Sequence, residues 1–195
     1  KIIFHIDVNN AFLSWSAVEY LKNGMPEDIR KIDSAIAGDP NTRTGIILAK
    51  SPSAKAKGVK TGEPIFQAKK KCKNLKIFPP QYEIYHKNSL AFRKILSKYS
   101  DKVEPFSIDE AFIEYVPLFG SYMEVAQKIQ SEIFNTLGFT VNIGIGPNKL
   151  LAKMASDFEK PNKIHTLFKE EIPNKMWPLP IEELIFLGKS TADKL

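Results

Sequence analysis

Residues 1–8 alternate, with Ile2, Phe4, Ile6 and Val8 toward one side and Ile3, His5 and Asp7 toward the other. That is the period of a strand with a buried face, and Asp7 falls near its end. Residues 11–23 then carry Phe12, Leu13, Trp15, Ala17, Tyr20 and Leu21 at near-helical spacing, with Gly24 as the stop. Residues 45–50 read as a short strand. Ser51 and Pro52 read as an N-cap followed by proline at the first helical position, and Gly58 closes that brief helix. A second short helix is expected over 64–73 and a strand over 76–78, which Pro79 and Pro80 end. Tyr85, Leu90, Phe92, Ile95, Leu96 and Tyr99 predict a long amphipathic helix over 82–99.

Strand periodicity returns at 103–108 and 111–116, flanking Asp109 and Glu110, and 122–137 is an amphipathic helix ended by Gly138. Phe139, Val141, Ile143 and Ile145 alternate as a further strand. With the segment after the first strand set aside as an insertion, the order is strand, helix, strand, strand, helix, strand. This is the split βαβ, ferredoxin-like order, so the fold class is α+β. In that topology the third strand lies between the first two and runs antiparallel to the first. Asp7 should therefore meet the Asp109–Glu110 turn at one edge of the sheet.

Composition adds exclusions. The 195 residues are 43% hydrophobic and 26% charged, enough to bury a core, which rules out a disordered or collagen-like chain. The length suits one domain or two small ones. No run approaches the ~18 apolar residues of a membrane span, so no membrane is expected among the partners. A single cysteine, Cys72, permits no internal disulfide and fits a reducing cytoplasm. The first residue is Lys rather than Met, which reads as a trimmed chain. The net charge of +6 is uneven: nine lysines and one acid, Glu63, lie between 50 and 76, leaving −2 on the remainder. A basic segment on a slightly acidic body suits nucleic acid or nucleotide phosphate, and equally a solvated lysine-rich face.

Three carboxylates converging at a sheet edge repel one another unless a cation neutralises them, and an all-oxygen set favours Mg²⁺ or Mn²⁺. Spacing alone equally allows a hairpin turn that merely contains Asp-Glu. Lys149 and Lys153 share a face of a helix that begins beside Pro147, where a triphosphate could reach both or solvent could cover them. The Gly144-Ile145-Gly146 stretch lacks the third glycine of a dinucleotide fingerprint and the Gly-Lys-Ser/Thr of a P-loop. His5, His86 and His165 show no ligand spacing, and Cys72 has no recognisable activating partner.

Three stretches together resemble the Y-family translesion DNA polymerases, the UmuC-like (impB/mucB/samB/UmuC) branch more than the DinB-like one. They are His5-Ile6-Asp7-Val8-Asn9-Asn10-Ala11-Phe12, Phe106-Ser107-Ile108-Asp109-Glu110-Ala111-Phe112, and residues 141–163 with Asn148-Lys149, Leu151-Ala152-Lys153-Met154-Ala155-Ser156 and Lys160-Pro161-Asn162. The resemblance covers essentially the whole chain. It implies a palm of residues 1–10 and 77–166, fingers at 11–76 and a partial thumb at 167–195. It also implies that the C-terminal little finger is missing and that this fragment alone is weakly active or inactive. Asp7, Asp109 and Glu110 would hold two Mg²⁺ ions, with the Val8 carbonyl completing one shell. Lys55, Lys153 and the backbone near Asn10 and Ala11 would contact the incoming dNTP, and Phe12 would be the steric gate against ribose. Residues 181–195 resemble the start of a helix-hairpin-helix, with Gly188 and Lys189 on DNA.

Asn9 stands where the family frequently has Asp, Ala11 where it has an aromatic, Pro52 where many members have Tyr, Lys55 where many have Arg, and Phe186 where Gly is common. The implied activity is template-directed nucleotidyl transfer from dNTP to a primer 3′ hydroxyl past damaged bases, in the cytoplasm at the nucleoid. Implied partners are primer-template DNA and, through missing C-terminal regions, a sliding clamp or an accessory SOS subunit. The alternatives are a palm-type nucleotide cyclase and a non-catalytic DNA-binding scaffold.

Overall fold

The computed structural model describes residues 1–39, 45–185, 187, 191 and 194. In chain order the elements are β1 (Ile3–Val8), α1 (Ala11–Lys22), β2 (Ser34–Ala37), β3 (Ile47–Lys50), α2 (Pro52–Ala56), α3 (Ile65–Lys71), β4 (Lys76–Phe78) and α4 (Tyr82–Leu96). They continue with β5 (Val103–Pro105), β6 (Glu110–Glu114), α5 (Tyr122–Leu137), β7 (Val141–Gly146), α6 (Lys149–Asp157), β8 (Ile164–Thr166) and α7 (Ile172–Lys175). Two units emerge, one of Lys1–Asn9 with the chain from Ala91 on, the other of Asn10–Leu90, and α4 crosses their boundary.

The first unit is built on a five-stranded sheet in the order β5-β6-β1-β7-β8. β6 lies between β5 and β1 and is antiparallel to both, as the ferredoxin-like order requires. β8 adds an edge strand parallel to β7. All six residues of the central β1 are buried. Residues directly opposite in an antiparallel pair share a face. Asp7, His5 and Ile3 therefore share theirs with Glu110, Phe112 and Glu114 of β6 and with Asn142, Gly144 and Gly146 of β7.

α6 covers that face. A Cβ on Gly144 would lie 1.9 Å from the Ala152 carbonyl oxygen and 2.3 Å from the Ser156 nitrogen, so the helix rests on bare strand backbone. The two glycines of the Gly-x-Gly stretch thus serve close packing. α5 packs on β7, capped by the Ser121–Glu124 box and ended by Gly138 at φ 79°.

The second unit holds the sheet β3-β2-β4. Leu13 and Ala17 of α1 pack with Ile29, Ile36 and Ala49, while a second cluster joins Ala35, Ala37 and Ile47 to Ala54, Ile65, Ala68 and Cys72. Cys72 is a core residue whose thiol burial pushes up in pKa, with the Asp33 carboxylate adding to the rise. Ser51 caps α2, its side chain accepting the Ala54 N–H.

Three expectations about elements are corrected. The strand expected over 103–108 ends at Pro105, because the Phe106 and Ser107 N–H groups turn back to the Glu110 carbonyl. The helix expected over 82–99 ends at Leu96. β2 and β8 lie where no strand was expected.

Candidate active site

Asp7 sits near the end of β1 in register with Glu110, and the Val8 N–H donates to the Asp109 carbonyl at 3.0 Å. Two chain segments 102 residues apart in sequence thus bring three carboxylates to one end of the sheet. Asp109 is held by its own turn, where Ser107 Oγ donates to Asp109 Oδ1 at 2.6 Å. Burial raises the Asp7 carboxyl to a pKa of about 6. Lys160 opposes that rise, while Glu110 and Asp109 add to it. The repulsion expected of converging acids is therefore present.

Two ammonium groups meet the cluster. Lys153 Nζ donates to Glu110 Oε1 at 2.6 Å, and Lys160 Nζ contacts Asp7 Oδ2 as well as Asp157 Oδ1 at 2.8 Å. Burial works against the Lys160 charge, but the pairing with Asp7 and Asp157 outweighs it and holds that amine above the ordinary lysine range. Lys149 and Lys153 do share a helix face, yet their amines part. Lys149 pairs with Glu104 and lies over the Phe112 ring, so it does not join Lys153 at the cluster. His5, fully buried, has Nδ1 2.8 Å from Ser156 Oγ. Burial, with Lys153 and Lys160 nearby, lowers its pKa to about 3, so it stays neutral.

The donor set suits a hard divalent cation, since all three groups are carboxylates and ammonium ions already stand in as cations on two of them. Among the described residues, no three His, Cys, Asp or Glu side chains form a ready-made metal cage. Asp7 and Glu110 are each paired with an amine instead.

Of the remaining expected residues, Asn10, Ala11, Phe12 and Lys55 belong to the second unit. Asn10 precedes α1 in the left-handed conformation, φ 49°, and its side chain donates to the Lys50 carbonyl at 2.7 Å. It makes no side-chain cap, which leaves the first N–H groups of α1, beginning at Ala11, available to an anion. Phe12 stacks on Tyr85 with ring centroids 4.5 Å apart and planes at 8°. Lys55 is exposed on α2. Gly188 and Lys189 lie outside the described residues. Lys160 and Asn142 had no assigned role on sequence grounds. The first stands in a recognised motif, and the second is a polar interruption in an apolar strand.

A profile of the impB/mucB/samB family matches residues 6–157. DNA polymerase IV of Clostridium acetobutylicum is 52% identical over 197 residues, covering 100% of this chain and 50% of that protein. The crystal structure of DinB from Sulfolobus solfataricus superposes with a TM-score of 0.85 at 28% identity, over 100% of this chain and 56% of that one. A Y-family DNA polymerase chimera of Dbh and Dpo4 gives 0.86 at 29%, over 100% and 57%. The first of these bears the polymerase IV name and the second the DinB name. The chain spans about half the length of the curated relatives it matches.

Proposed function

The chain belongs to the impB/mucB/samB family of Y-family DNA polymerases, and from this premise we propose that it carries the catalytic portion of a translesion DNA polymerase. The reaction is nucleotidyl transfer from a dNTP to a primer 3′ hydroxyl, directed by a template and tolerant of damaged bases. The observation that carries this reading is the register of Asp7 with Glu110 beside the Val8–Asp109 hydrogen bond. Neither a cyclase nor a scaffold is favoured by the family relationship.

Asp7, Asp109 and Glu110, with the Val8 carbonyl, are the groups that would hold two Mg²⁺ or Mn²⁺ ions. When bound, such ions lower the pKa of the attacking hydroxyl and offset charge on the phosphates. Ser107 orients Asp109. Lys153, freed from Glu110, and Lys55 are donors for the triphosphate, and the uncapped N–H groups at Ala11 suit another phosphate oxygen. Phe12 is assigned to sugar selection. In domain terms we assign residues 1–10 and 77–166 to the palm, 11–76 to the fingers and 167–195 to part of a thumb, with Gly188 and Lys189 on DNA. The proposed setting is the cytoplasm, on primer-template DNA during the SOS response, with a clamp or accessory subunit as a further partner.

Primer extension by the intact protein tests the reading. Asp109→Ala should abolish Mg²⁺-dependent extension while circular dichroism and the thermal melt stay at wild-type values. Retained extension in that variant would overturn the assignment.

A further inference from the structure

β7 interrupts its apolar run with Asn142, fully buried and in register with Asp7. A carboxamide offers two N–H donors and two lone pairs, and here all four are engaged. Nδ2 donates to the Ser156 carbonyl at 2.9 Å and to the Glu159 carbonyl at 2.6 Å. Oδ1 accepts from Asn9 Nδ2 at 3.0 Å and from the Lys163 N–H at 3.2 Å. Asn9 Oδ1 in turn accepts the Asn162 N–H at 2.9 Å.

The two side chains therefore fasten the chain at residues 156, 159, 162 and 163, on both sides of Lys160. Asn162 takes a left-handed φ of 60°, a conformation asparagine tolerates better than most residues, and its N–H faces Asn9. The orientation of Asn142 follows from its surroundings. Two carbonyls face one end, so that end must be the NH₂ group, and the oxygen must point toward position 9. Whatever stands at position 9 has to donate. An ionised aspartate there would be an acceptor against an acceptor, at a position that is 7% exposed.

We propose that Asn9 and Asn142 are a matched pair of positioning residues that lock the turn around Lys160 and so set its ammonium against Asp7. By this account Lys160 competes with a divalent cation for Asp7, and the lock sets how strongly. The inference rests on the metal-site reading for its binding measurement and on geometry alone for its exchange measurement.

Both measurements use the intact protein. Amide hydrogen exchange should show the Lys163 N–H losing protection in Asn142→Leu, and the Asn162 N–H losing it in Asn9→Ala, by about tenfold or more. Mn²⁺ binding, followed by electron paramagnetic resonance without nucleotide, should tighten about tenfold in Lys160→Ala, as expected for removal of a partly buried competing ion pair. Asn142→Leu should tighten it by roughly threefold. The double variant Asn142→Leu/Lys160→Ala should bind no more tightly than Lys160→Ala, because the asparagine acts through the lysine.

Effects that multiply in the double variant, or unchanged exchange at Asn162 and Lys163, would overturn the lock. If Asn142→Leu fails to fold, Asn9→Ala carries the same cycle with Lys160→Ala. Absence of Mn²⁺ binding in every form, wild type included, would sink the metal-site reading, and the exchange data would still decide the lock.

Discussion

Ser156 Oγ lies 2.8 Å from Nδ1 of His5, although 151 positions separate them. That contact exists because α6 sits directly on β7 at Gly144, and the same seating sends Lys153 to Glu110.

Gly144→Ala tests this seating. The added Cβ meets helix backbone at 1.9 Å and 2.3 Å, which no side-chain rotation relieves, so α6 must move off the sheet. Overpacking of this kind costs about 3 kcal/mol or more. Urea unfolding should show that loss, and extension activity should fall further than the folded fraction does, because Lys153 and the Lys160 turn both ride on α6. A variant of unchanged midpoint would contradict the close approach.

Asp7 predicts an exchange of stability for function. Its folded pKa of about 6 exceeds the ordinary 3.8, so between those values the native state holds a proton that the unfolded chain has released. The favourable contribution is complete below pH 3.8 and is lost as pH rises through 6. At pH 7.5 the buried ionised carboxylate then weighs against the fold. In chelator-containing buffer Asp7→Asn should melt higher than wild type at pH 7.5, with the gain vanishing toward pH 4. Adding Mn²⁺ should raise the wild-type melting temperature and leave that of Asp7→Asn nearly unchanged.

Much of this site was legible in the chain. Strict alternation over β1 placed Asp7, and the ferredoxin-like order placed Glu110 beside it, because strand period and strand order are both carried by local pattern. Lys160 was not legible. Its position depends on hydrogen bonds that Asn9 and Asn142 make to residues 14 to 153 positions away, and no local period encodes those. The parting of Lys149 from Lys153 likewise depends on Glu104, which another strand supplies. β2 escaped notice because Ser34-Ala35-Ile36-Ala37 has little strand propensity of its own and is paired on both sides by β3 and β4.

Of the nine lysines between 50 and 76, Lys57, Lys71 and Lys76 are paired with Asp33, Glu63 and Glu27. Lys69, Lys70 and Lys73 make no ion pair among the described residues, and Lys70 lies over the exposed Phe66 ring. If this surface meets DNA phosphates, each contact adds about −0.9 to the log-log salt slope. Replacing all three lysines by Gln should make the slope shallower by roughly 2 to 3. Fluorescence anisotropy of a primer-template across a salt series measures this, and an unaltered slope would assign the lysines to solvent.

Phe12 offers the sharpest separation between a packing role and a selective one. Its ring lies parallel to Tyr85, whose hydroxyl is 2.8 Å from Ser16 Oγ, so the Phe12 plane is held by a neighbour that is itself anchored. Unlike Trp15 and Tyr85, which are fully buried, Phe12 is only partly covered, and the uncovered part is what could meet a sugar. A ring that excludes a 2′ hydroxyl by contact discriminates in the transition state. Phe12→Ala should then raise ribonucleotide incorporation relative to deoxyribonucleotide by about tenfold or more, with modest loss of the latter. Were the ring mainly core, its truncation would cost about 3 kcal/mol or more and depress both reactions in parallel. Steady-state incorporation of matched ribo- and deoxyribonucleotides, read beside a thermal melt, distinguishes the two: a constant ratio with a lowered melt assigns Phe12 to the aromatic stack alone.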